Sequence, residues 1–444
     1  MLPQNPSAQE GSDKKPLLTP AEHASLRDKL AKFLADEAAV AMGGKDREKN
    51  VDKKAKSKAA WDAEWKKAEA KVAKTGILLA STADVSAIFE NCFTVKPPKN
   101  SPGELRKEQV SDTDIEFSYM LPKSYKNTVP TRMVFLLTGS GGANGATMWT
   151  KASDYYGATW AKSATEADAI FHIPTIPAQL ELDPIPDYSR EGAEAEEDKR
   201  SRMMLASLGT MMQMANIDRR RIVLDCGRGN SGYGLRFMTL FPDRWAGAIL
   251  REPTAVDDLR LGTLTGIPIL LVRTAATAAT VDALAKRLEE ISPKKITVLD
   301  AADEYPHKAL TPKIEEWMAG CRRNMVPSRI VIEPNHDQFN RAYWAKIDVA
   351  NPLLTSAPDK KARLEVVAER AVNRITVKTV GVESFTLMLN DDLVDLDKEF
   401  TVVINDKAVT EKKTRVLRDL KDNVVTRMDW DYLFPVKFST TVPK

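Results

Sequence analysis

One stretch of the chain decides the fold: RIVLDCGRGNSGYGLRFMTLFPDRWAGAIL, residues 221–250. The apolar run at its start predicts a buried strand. A glycine-rich segment follows, and then a largely apolar segment that predicts a helix. A second apolar run, WAGAILRE at 245–252, predicts the next strand. A strand, a tight glycine turn, a helix and a further strand together predict an α/β layer structure with parallel strands.

The same alternation of strands and helices continues on both sides of this stretch. Apolar strand patterns occur at 112–122, 131–142, 167–175, 267–273 and 295–301, and helical patterns at 196–217, 281–291 and 311–323. After residue 327 the pattern changes to short alternating strands separated by turn residues, which predicts a small β domain. The predicted organisation is a disordered tail (1–18), a helical extension (19–75), an α/β domain (76–327) and a C-terminal β domain (328–444).

The helical extension has a clear start signal. In the segment 19–22, Thr-Pro-Ala-Glu, the threonine caps the helix, proline suits the first helical position, and glutamate reaches back as a capping box. A second helix is predicted over 55–74, with Trp61 and Trp65 on one face. Since isolated helices of this length are marginal in water, we expect these tryptophans to be buried against the main domain or a second subunit.

Composition excludes several classes of protein. Lys plus Arg is 65 and Asp plus Glu is 62, a net charge of +3, so the basic excess of a nucleic-acid binder is missing. Three cysteines and four histidines favour neither a disulfide framework nor a metal site. No apolar run is long enough for a membrane span, and the first residues lack the apolar core of a signal peptide. These features slightly favour a cytoplasmic location and leave a periplasmic one open, since a removed signal would look the same.

Two interpretations compete for the glycine-rich segment. In the first, Gly227, Gly229 and Gly232 form G-x-G-x-x-G between a strand and a helix, and Glu252 ends the next strand at the spacing of a ribose-binding carboxylate. This pattern indicates a dinucleotide-binding protein. However, at least three predicted strands precede the motif, whereas a dinucleotide-binding domain normally opens with it.

In the second interpretation, the segment resembles the strand, nucleophile elbow and helix of the α/β-hydrolase superfamily. That family has G-x-S-x-G-G-Y-G and then Y-P-D-R-F, which align with residues 232–234 and 241–245 and put Gly229 at the nucleophile position. The upstream run 138–142, TGSGG, resembles the family's oxyanion turn. Tyr343-Trp344 and the run 389–397 extend the resemblance to planctomycete-type predicted hydrolases with a helical N-terminal extension and a C-terminal β appendage. The resemblance implies an α/β-hydrolase-like, mostly parallel sheet with flanking helices.

The resemblance also implies where a Ser-Asp-His triad would lie, and the chain has none of its residues there. The nucleophile position is Gly229, the acid position after strand 267–273 is Ala276, and the base position is Asp303 or Glu304. His307 lies three or four residues too late. We therefore expect a pseudo-hydrolase with no catalytic residue, which has kept the fold for binding or assembly.

An active serine hydrolase, an esterase or peptidase, is the alternative function. It would use Ser231 as a displaced nucleophile, His307 as base, and Glu252 or Asp303 as the orienting carboxylate. Ser140 is a second candidate nucleophile, although a serine in this position is more often a turn residue. The simpler interpretation of Ser231 is a small residue that lets helix and strand pack closely.

A binding site would survive the loss of the triad. Backbone N–H groups at a helix N-terminus next to an arginine form a nest for a carboxylate or phosphate, and a water-filled remnant is the simpler alternative. The predicted binding residues are Gly139, Ser140, Gly141, Arg228, Gly229, Asn230 and Ser231. No cofactor and no metal are expected, and the partner is an unknown protein or a small anionic ligand. If the role is assembly, the partner could equally be a second copy of this chain in a homo-oligomer.

The remaining polar residues of note have plainer interpretations. His172 lies on an apolar strand and Cys226 ends one, so both are expected in the core. His336 lies in a turn and is expected to be exposed. The aspartates in 391–397 lack the glycine and terminal glutamate of a calcium loop and are interpreted as a turn before a strand.

Overall fold

The computed structural model describes residues 15–41, 46–93, 95–96, 102–138, 152–175, 193–254, 259–334, 336–352 and 361–443, with side chains from residue 199 onward in the helix that begins at 193. No helix within these ranges is long and apolar enough to cross a membrane. The predicted tail lies outside them up to residue 14.

The chain opens with an antiparallel helical pair, α1 (Pro20–Ala41) and α2 (Arg47–Val72), followed by the short helix α3 (Thr82–Phe89). The capping box is confirmed, because the Glu22 carboxylate accepts from the backbone N–H and the hydroxyl of Thr19, at 2.9 and 2.8 Å. The second helix begins eight residues before the predicted start, because its lysines alternate with acids and alanines that all suit a helix.

Trp61 and Trp65 are buried, as expected. They pack with α3, where Phe89 meets Trp61 edge-on at 6.4 Å, and share one apolar cluster with C-terminal residues that include Trp430. The last residues of the predicted tail are anchored too. The backbone N–H groups of Leu17 and Leu18 donate to the Asp84 carboxylate at 2.7 and 2.9 Å, so the ordered chain begins before residue 19.

The central feature is an eight-stranded sheet flanked by helices. Its strands are β1 (Leu105–Gln109), β2 (Glu116–Met120), β3 (Thr131–Leu137), β4 (Ala169–Pro174), β5 (Ile217–Cys226), β6 (Gly247–Arg251), β7 (Ile269–Arg273) and β8 (Ile296–Asp300). The helices are α4 (Ala152–Thr159), α5 (Ala193–Met214), α6 (Ser231–Leu240), α7 (Ala278–Ile291) and α8 (Thr311–Ala319). Apolar side chains of α5, α6 and α7 cover one face, and those of α4 and α8 cover the other.

The strand order is β1-β2-β4-β3-β5-β6-β7-β8. β1 and β2 pair antiparallel, β2 pairs antiparallel with β4, and all other neighbours are parallel. This is the strand order of the α/β-hydrolase fold, so the predicted fold class is confirmed. The central strand β5 starts four residues before its predicted start, because α5 ends at Met214 rather than at 217.

The C-terminal residues form two further sheets around one apolar core. One sheet has the order β10-β11-β14-β17 and the other β16-β15-β13-β12-β9. The bounds are β9 (Arg329–Ile332), β10 (Arg341–Ala342), β11 (Ala345–Ala350), β12 (Arg363–Glu369), β13 (Arg374–Val380), β14 (Val382–Leu389), β15 (Phe400–Ile404), β16 (Lys407–Glu411) and β17 (Val436–Thr441). The region also contains a helix, α9 (Leu417–Arg427), which strand patterns did not predict.

Candidate functional site

The candidate site lies at the carboxyl end of β5, where the chain turns sharply into α6. Gly229 has a φ of +86°, a left-handed conformation that side chains rarely tolerate, and α6 begins two residues later at Ser231. A Cβ on Gly227 would lie 2.5 Å from the Tyr305 hydroxyl and 2.8 Å from the Tyr155 hydroxyl. The turn therefore has the elbow geometry predicted from the glycine spacing.

The residue at the tip of the elbow has no side chain, and the backbone N–H of the next residue is engaged within the turn. Gly229 is exposed but has no side chain. In this fold the backbone N–H of the next residue faces the reacting oxygen. Here the N–H of Asn230 donates instead to the carbonyl of Gly227, at 3.1 Å, and the Asn230 amide donates to the carbonyl of Thr138. The turn is thus closed on itself at the atom where an oxyanion would be bound.

A histidine–carboxylate pair lies beside the elbow. His307 follows β8 and Glu252 follows β6; both are buried, and their side chains meet with His307 Nε2 2.8 Å from Glu252 Oε1. Both residues have positive φ, +65° and +48°, and such strain persists where the surrounding structure fixes it. The structure therefore brings together two of the three residues of the alternative triad.

Both ring nitrogens of His307 are engaged in hydrogen bonds. Its Nδ1 lies 2.9 Å from the backbone carbonyl of Asp303, which can only accept, so Nδ1 carries a hydrogen. Its Nε2 faces Glu252 Oε1, which also accepts from the Arg228 guanidinium. A nucleophile would have to displace one of these partners to reach the ring.

Arg228 and Tyr305 complete the site. The backbone N–H of Arg228 donates to the Tyr305 hydroxyl at 2.8 Å, and the Arg228 guanidinium lies 4.6 Å from the centre of the Tyr305 ring. The His307 ring meets Tyr305 edge-on at 5.7 Å. Burial raises the pKa of Tyr305, so the phenol stays protonated and accepts the Arg228 N–H through its oxygen. The Arg228 side chain is 37% exposed and forms the accessible part of the site.

A buried ion pair holds together the strands that position the site. Asp225 on β5 accepts from Arg251 on β6 through Nε at 3.0 Å and Nη2 at 3.1 Å, and from the Trp160 indole at 2.8 Å. Arg251 Nη1 also donates to the Pro306 carbonyl at 2.7 Å. Both charged side chains are fully buried. Because the ion pair ties β5, β6 and the residue before His307, it positions the elbow, Glu252 and His307 together.

Sequence reasoning did not single out Asp225, Arg251 or Tyr305. A signal was present for the first two, since each is a charged residue that follows an apolar run, Asp225 after 222–224 and Arg251 after 245–250. Buried charges are kept where they are paired, so an acid and a base in two neighbouring strands indicate an internal ion pair.

Several predicted residues lie apart from this cluster. Ser231 is fully buried in the first turn of α6, and its hydroxyl has no hydrogen-bond partner among the described residues, His307 included. Ala276 and Glu304 are both exposed. Asp303 contacts His307 mainly through its backbone, since its carboxylate lies 3.6 Å from Nδ1. The predicted oxyanion residues Gly139, Ser140 and Gly141 lie outside the described residues.

The other polar residues are placed as follows. His172 is in the core, with Nε2 3.1 Å from the Ser207 hydroxyl, and burial lowers its pKa to about 3. Cys226 is buried, which raises the pKa of its thiol well above the usual range. The expectation that His336 is exposed was wrong: it is 5% exposed, because Phe339 packs beside its ring at 6.2 Å. Asp391 is paired with Arg415, and no metal-ligand cluster occurs among the described residues.

The dinucleotide interpretation does not fit this geometry. It requires the glycine motif after the first strand of its domain, whereas the motif follows the fifth strand of the sheet. Glu252, which would bind a ribose, is instead bound to His307 and Arg228.

Comparison with known proteins gives only distant similarity. No family model matches the sequence, and no curated protein sequence does. Among solved structures, a thermostable esterase matches at 18% identity over 50% of this chain and 63% of its own, with a TM-score of 0.33. Dienelactone hydrolase from Anabaena variabilis matches at 14% identity over 50% and 98%, TM-score 0.32. An esterase from Thermogutta terrifontis matches at 11% identity over 50% and 95%, TM-score 0.36. At these TM-scores the similarity assigns neither family nor activity.

Proposed function

We propose that this chain is a pseudo-hydrolase, an α/β-hydrolase-fold protein that serves binding or assembly rather than catalysis. One observation carries the proposal: the elbow has a glycine at the position that aligns with the family's nucleophile, and both ring nitrogens of the nearby histidine are already hydrogen-bonded. A hydroxyl needs a base within hydrogen-bond reach to become a nucleophile, and neither partner of that pair is present at Gly229.

The loss is larger than one missing residue. Removing a single triad member costs several powers of ten in rate, and the residual activity of such variants depends on the oxyanion hole and substrate binding. Here the backbone N–H of Asn230 is bound to Gly227, so that residual contribution is weakened as well. The fold's structural glycines persist because packing against tyrosines and the sharp turn require them, whether or not the site reacts.

The proposed ligand is a small anion or an acidic group of a protein partner. Arg228 is the exposed cation at the site, and Gly229 lets a ligand approach the backbone closely. Glu252 already binds Arg228, so a ligand carboxylate would compete with it for the guanidinium. Titration with sodium acetate, followed through the backbone amide shifts of residues 229–232, should show saturable binding that Arg228→Gln weakens. Unchanged shifts would leave assembly, and not anion binding, as the role of this site.

The test of lost catalysis is labelling with a fluorophosphonate probe, together with hydrolysis of p-nitrophenyl acetate. We expect no labelling and no hydrolysis above a heat-inactivated control. Gly229→Ser alone should not restore turnover, because both ring nitrogens of His307 are already engaged by Asp303 and Glu252. A triple variant that places the family's residues at their aligned positions, Gly229→Ser, Ala276→Asp and Glu304→His, has a better prospect if the oxyanion N–H groups are freed.

One observation favours the competing function, an active esterase or peptidase. The His307–Glu252 contact is the base–carboxylate pair that such an enzyme would need. The enzyme would require His307 to leave Glu252 and reach the buried Ser231 hydroxyl. Labelling of the unmodified protein that disappears in Ser231→Ala, and persists in the neighbouring control Thr239→Ala, would establish this function and overturn the proposal.

A further inference from the structure

A cluster of buried charges joins the central sheet to the C-terminal region, away from the elbow. It is called the arginine cluster below. Its positive members lie at the start of β5, in the 3₁₀ turn after α6, after α8 and at the end of α9; its negative members lie in that same turn and just after α9. The members are Arg219, Arg220, Arg244, Arg323 and Arg427, with Asp243, Asp429 and Asp431.

Each carboxylate of the cluster is bound by at least one guanidinium, and only Asp243 Oδ1 among their oxygens has no hydrogen-bond partner within the described residues. Arg323 donates to both oxygens of Asp429, at 2.6 and 3.0 Å, and to Asp431 at 3.1 Å. Arg220 donates to Asp431 at 2.8 Å, while Arg427 donates to Asp243. Five guanidiniums therefore share three carboxylates. Glu90 and Asp218 also attract Arg220, but they are half-exposed and solvated.

Arg219 is the group left without a partner. It is 1% exposed and lies over the Trp430 ring, 4.5 Å from the ring centre. Its Nε and Nη1 are buried and donate no hydrogen bond among the described residues. The charges that act on it are the single carboxylate of Asp429, already bound by Arg323, and the guanidiniums of Arg244 and Arg323.

Two neighbouring guanidiniums have unused donors as well. Arg323 Nε donates no hydrogen bond within the described part of the chain, and Arg244 Nη1 lies 3.6 Å from Asp429, too far for one. Burial lowers the pKa values of Arg219 and Arg244 to about 10, which still leaves both charged at neutral pH. A buried charge without a partner is strongly destabilising, and the stacking of Arg219 on Trp430 offsets only part of that cost.

We propose that the arginine cluster binds a small inorganic monoanion, of which chloride is the common example, against the unused N–H groups of Arg219 with Arg244 and Arg323 as further donors. The anion supplies the negative charge that the three aspartates do not. Because Arg219 is 1% exposed and the side chain of Arg323 is also 1% exposed, the ion is enclosed on binding and must be small. Since these residues come from the sheet and from the segment after α9, the ion stabilises the contact between the two regions.

The experiment is thermal unfolding of the full chain at fixed ionic strength, with chloride replaced stepwise by gluconate, which is too large to enter. We expect the Tm to rise with the logarithm of chloride concentration, by roughly 2 °C or more between about 1 and about 100 mM. Arg219→Met keeps an unbranched apolar stem without the guanidinium and should abolish the dependence. Arg374→Met, at an exposed arginine paired with Glu369, is the matched control and should retain it.

Two results would overturn the proposal: an equal Tm in chloride and gluconate, or an unchanged chloride dependence in Arg219→Met. If Arg219→Met fails to fold, crystals of the unmodified protein soaked in sodium bromide decide the question. An anomalous bromide peak in contact with Arg219 supports the site. Density for an ordered water there, without anomalous signal, refutes it.

Discussion

Replacing Asp225 by asparagine should strongly destabilise the protein, because it removes the carboxylate that binds Arg251. Asp225 accepts three hydrogen bonds, two from Arg251 and one from Trp160, and both ionic groups are fully buried. Asparagine keeps one acceptor oxygen and turns an N–H group toward donors. Arg251 would then keep the Pro306 carbonyl and at most one neutral amide oxygen, and its charge would lose its counter-ion. Breaking one side of a buried ion pair costs about 3–5 kcal/mol, and we expect a loss in that range.

The measurement is urea unfolding followed by tryptophan fluorescence, with the free energy taken from the midpoint and slope. Asp282→Asn is the matched control, since Asp282 binds Arg273 at an exposed position and such pairs contribute about 0–1 kcal/mol. The double variant Asp225→Asn, Arg251→Met should regain part of the loss, because it removes the unpaired charge. A loss below about 1 kcal/mol in Asp225→Asn, or one no larger than in Asp282→Asn, would refute the reasoning.

Three further predictions concern the core. Because burial lowers the pKa of His172 from 6.5 to about 3, the unfolded chain binds one more proton between these values, so the free energy of unfolding should fall as pH drops from 6.5 toward 3, by up to roughly 4–5 kcal/mol. In His172→Phe, the pH dependence of the unfolding free energy should decrease by the amount that corresponds to one bound proton, as measured by urea unfolding at several pH values. An unchanged dependence would contradict the lowered pKa of His172. Trp61→Ala should lower the free energy of unfolding by about 3–5 kcal/mol, as for other buried tryptophans. Deletion of residues 1–75 should expose the same apolar surface and cause aggregation, measured by light scattering. An equally stable, monomeric 76–444 chain would be inconsistent with the packing described. Gly234→Ala should destabilise by about 1–3 kcal/mol because the new methyl group clashes with Cys226 Sγ, and Cys226→Ala should relieve the loss in a double-mutant cycle; strictly additive effects would rule out the clash.

The candidate site was only partly predictable from the sequence. The resemblance to the hydrolase family located the elbow, and it predicted that Gly229 and Ala276 occupy the nucleophile and acid positions. The sequence suggested the contact between Glu252 and His307 only as part of the alternative, active triad, because the two residues are 55 positions apart. They meet because β6 and β8 end at the same edge of the sheet. The direction of the His307 hydrogen bonds, which decides whether it can act as a base, depends on the Asp303 carbonyl and on a backbone φ of +65°.

The environment of single polar residues was the least predictable property. His336 looked exposed because it lies in a turn, yet Phe339 covers it. The strand pattern of the C-terminal region did not show α9, because that helix has only Leu420 and Val424 buried and is otherwise polar. Such a helix is stabilised by the surface it packs on, and this surface is not encoded in the local pattern.

The sequence by itself determined the α/β class, the order of strands and helices, and the sharp turn at Gly229, because apolar periodicity and glycine spacing act within a few residues of the chain. Tertiary structure alone decided which charges are paired. Arg219, Arg323 and Asp429 lie within one buried cluster although they are more than 100 residues apart, and Arg228, Glu252 and His307 converge from three loops. The physical reason is range: a hydrogen bond or ion pair requires side-chain atoms within about 3–4 Å, and only the packing of distant elements sets that distance.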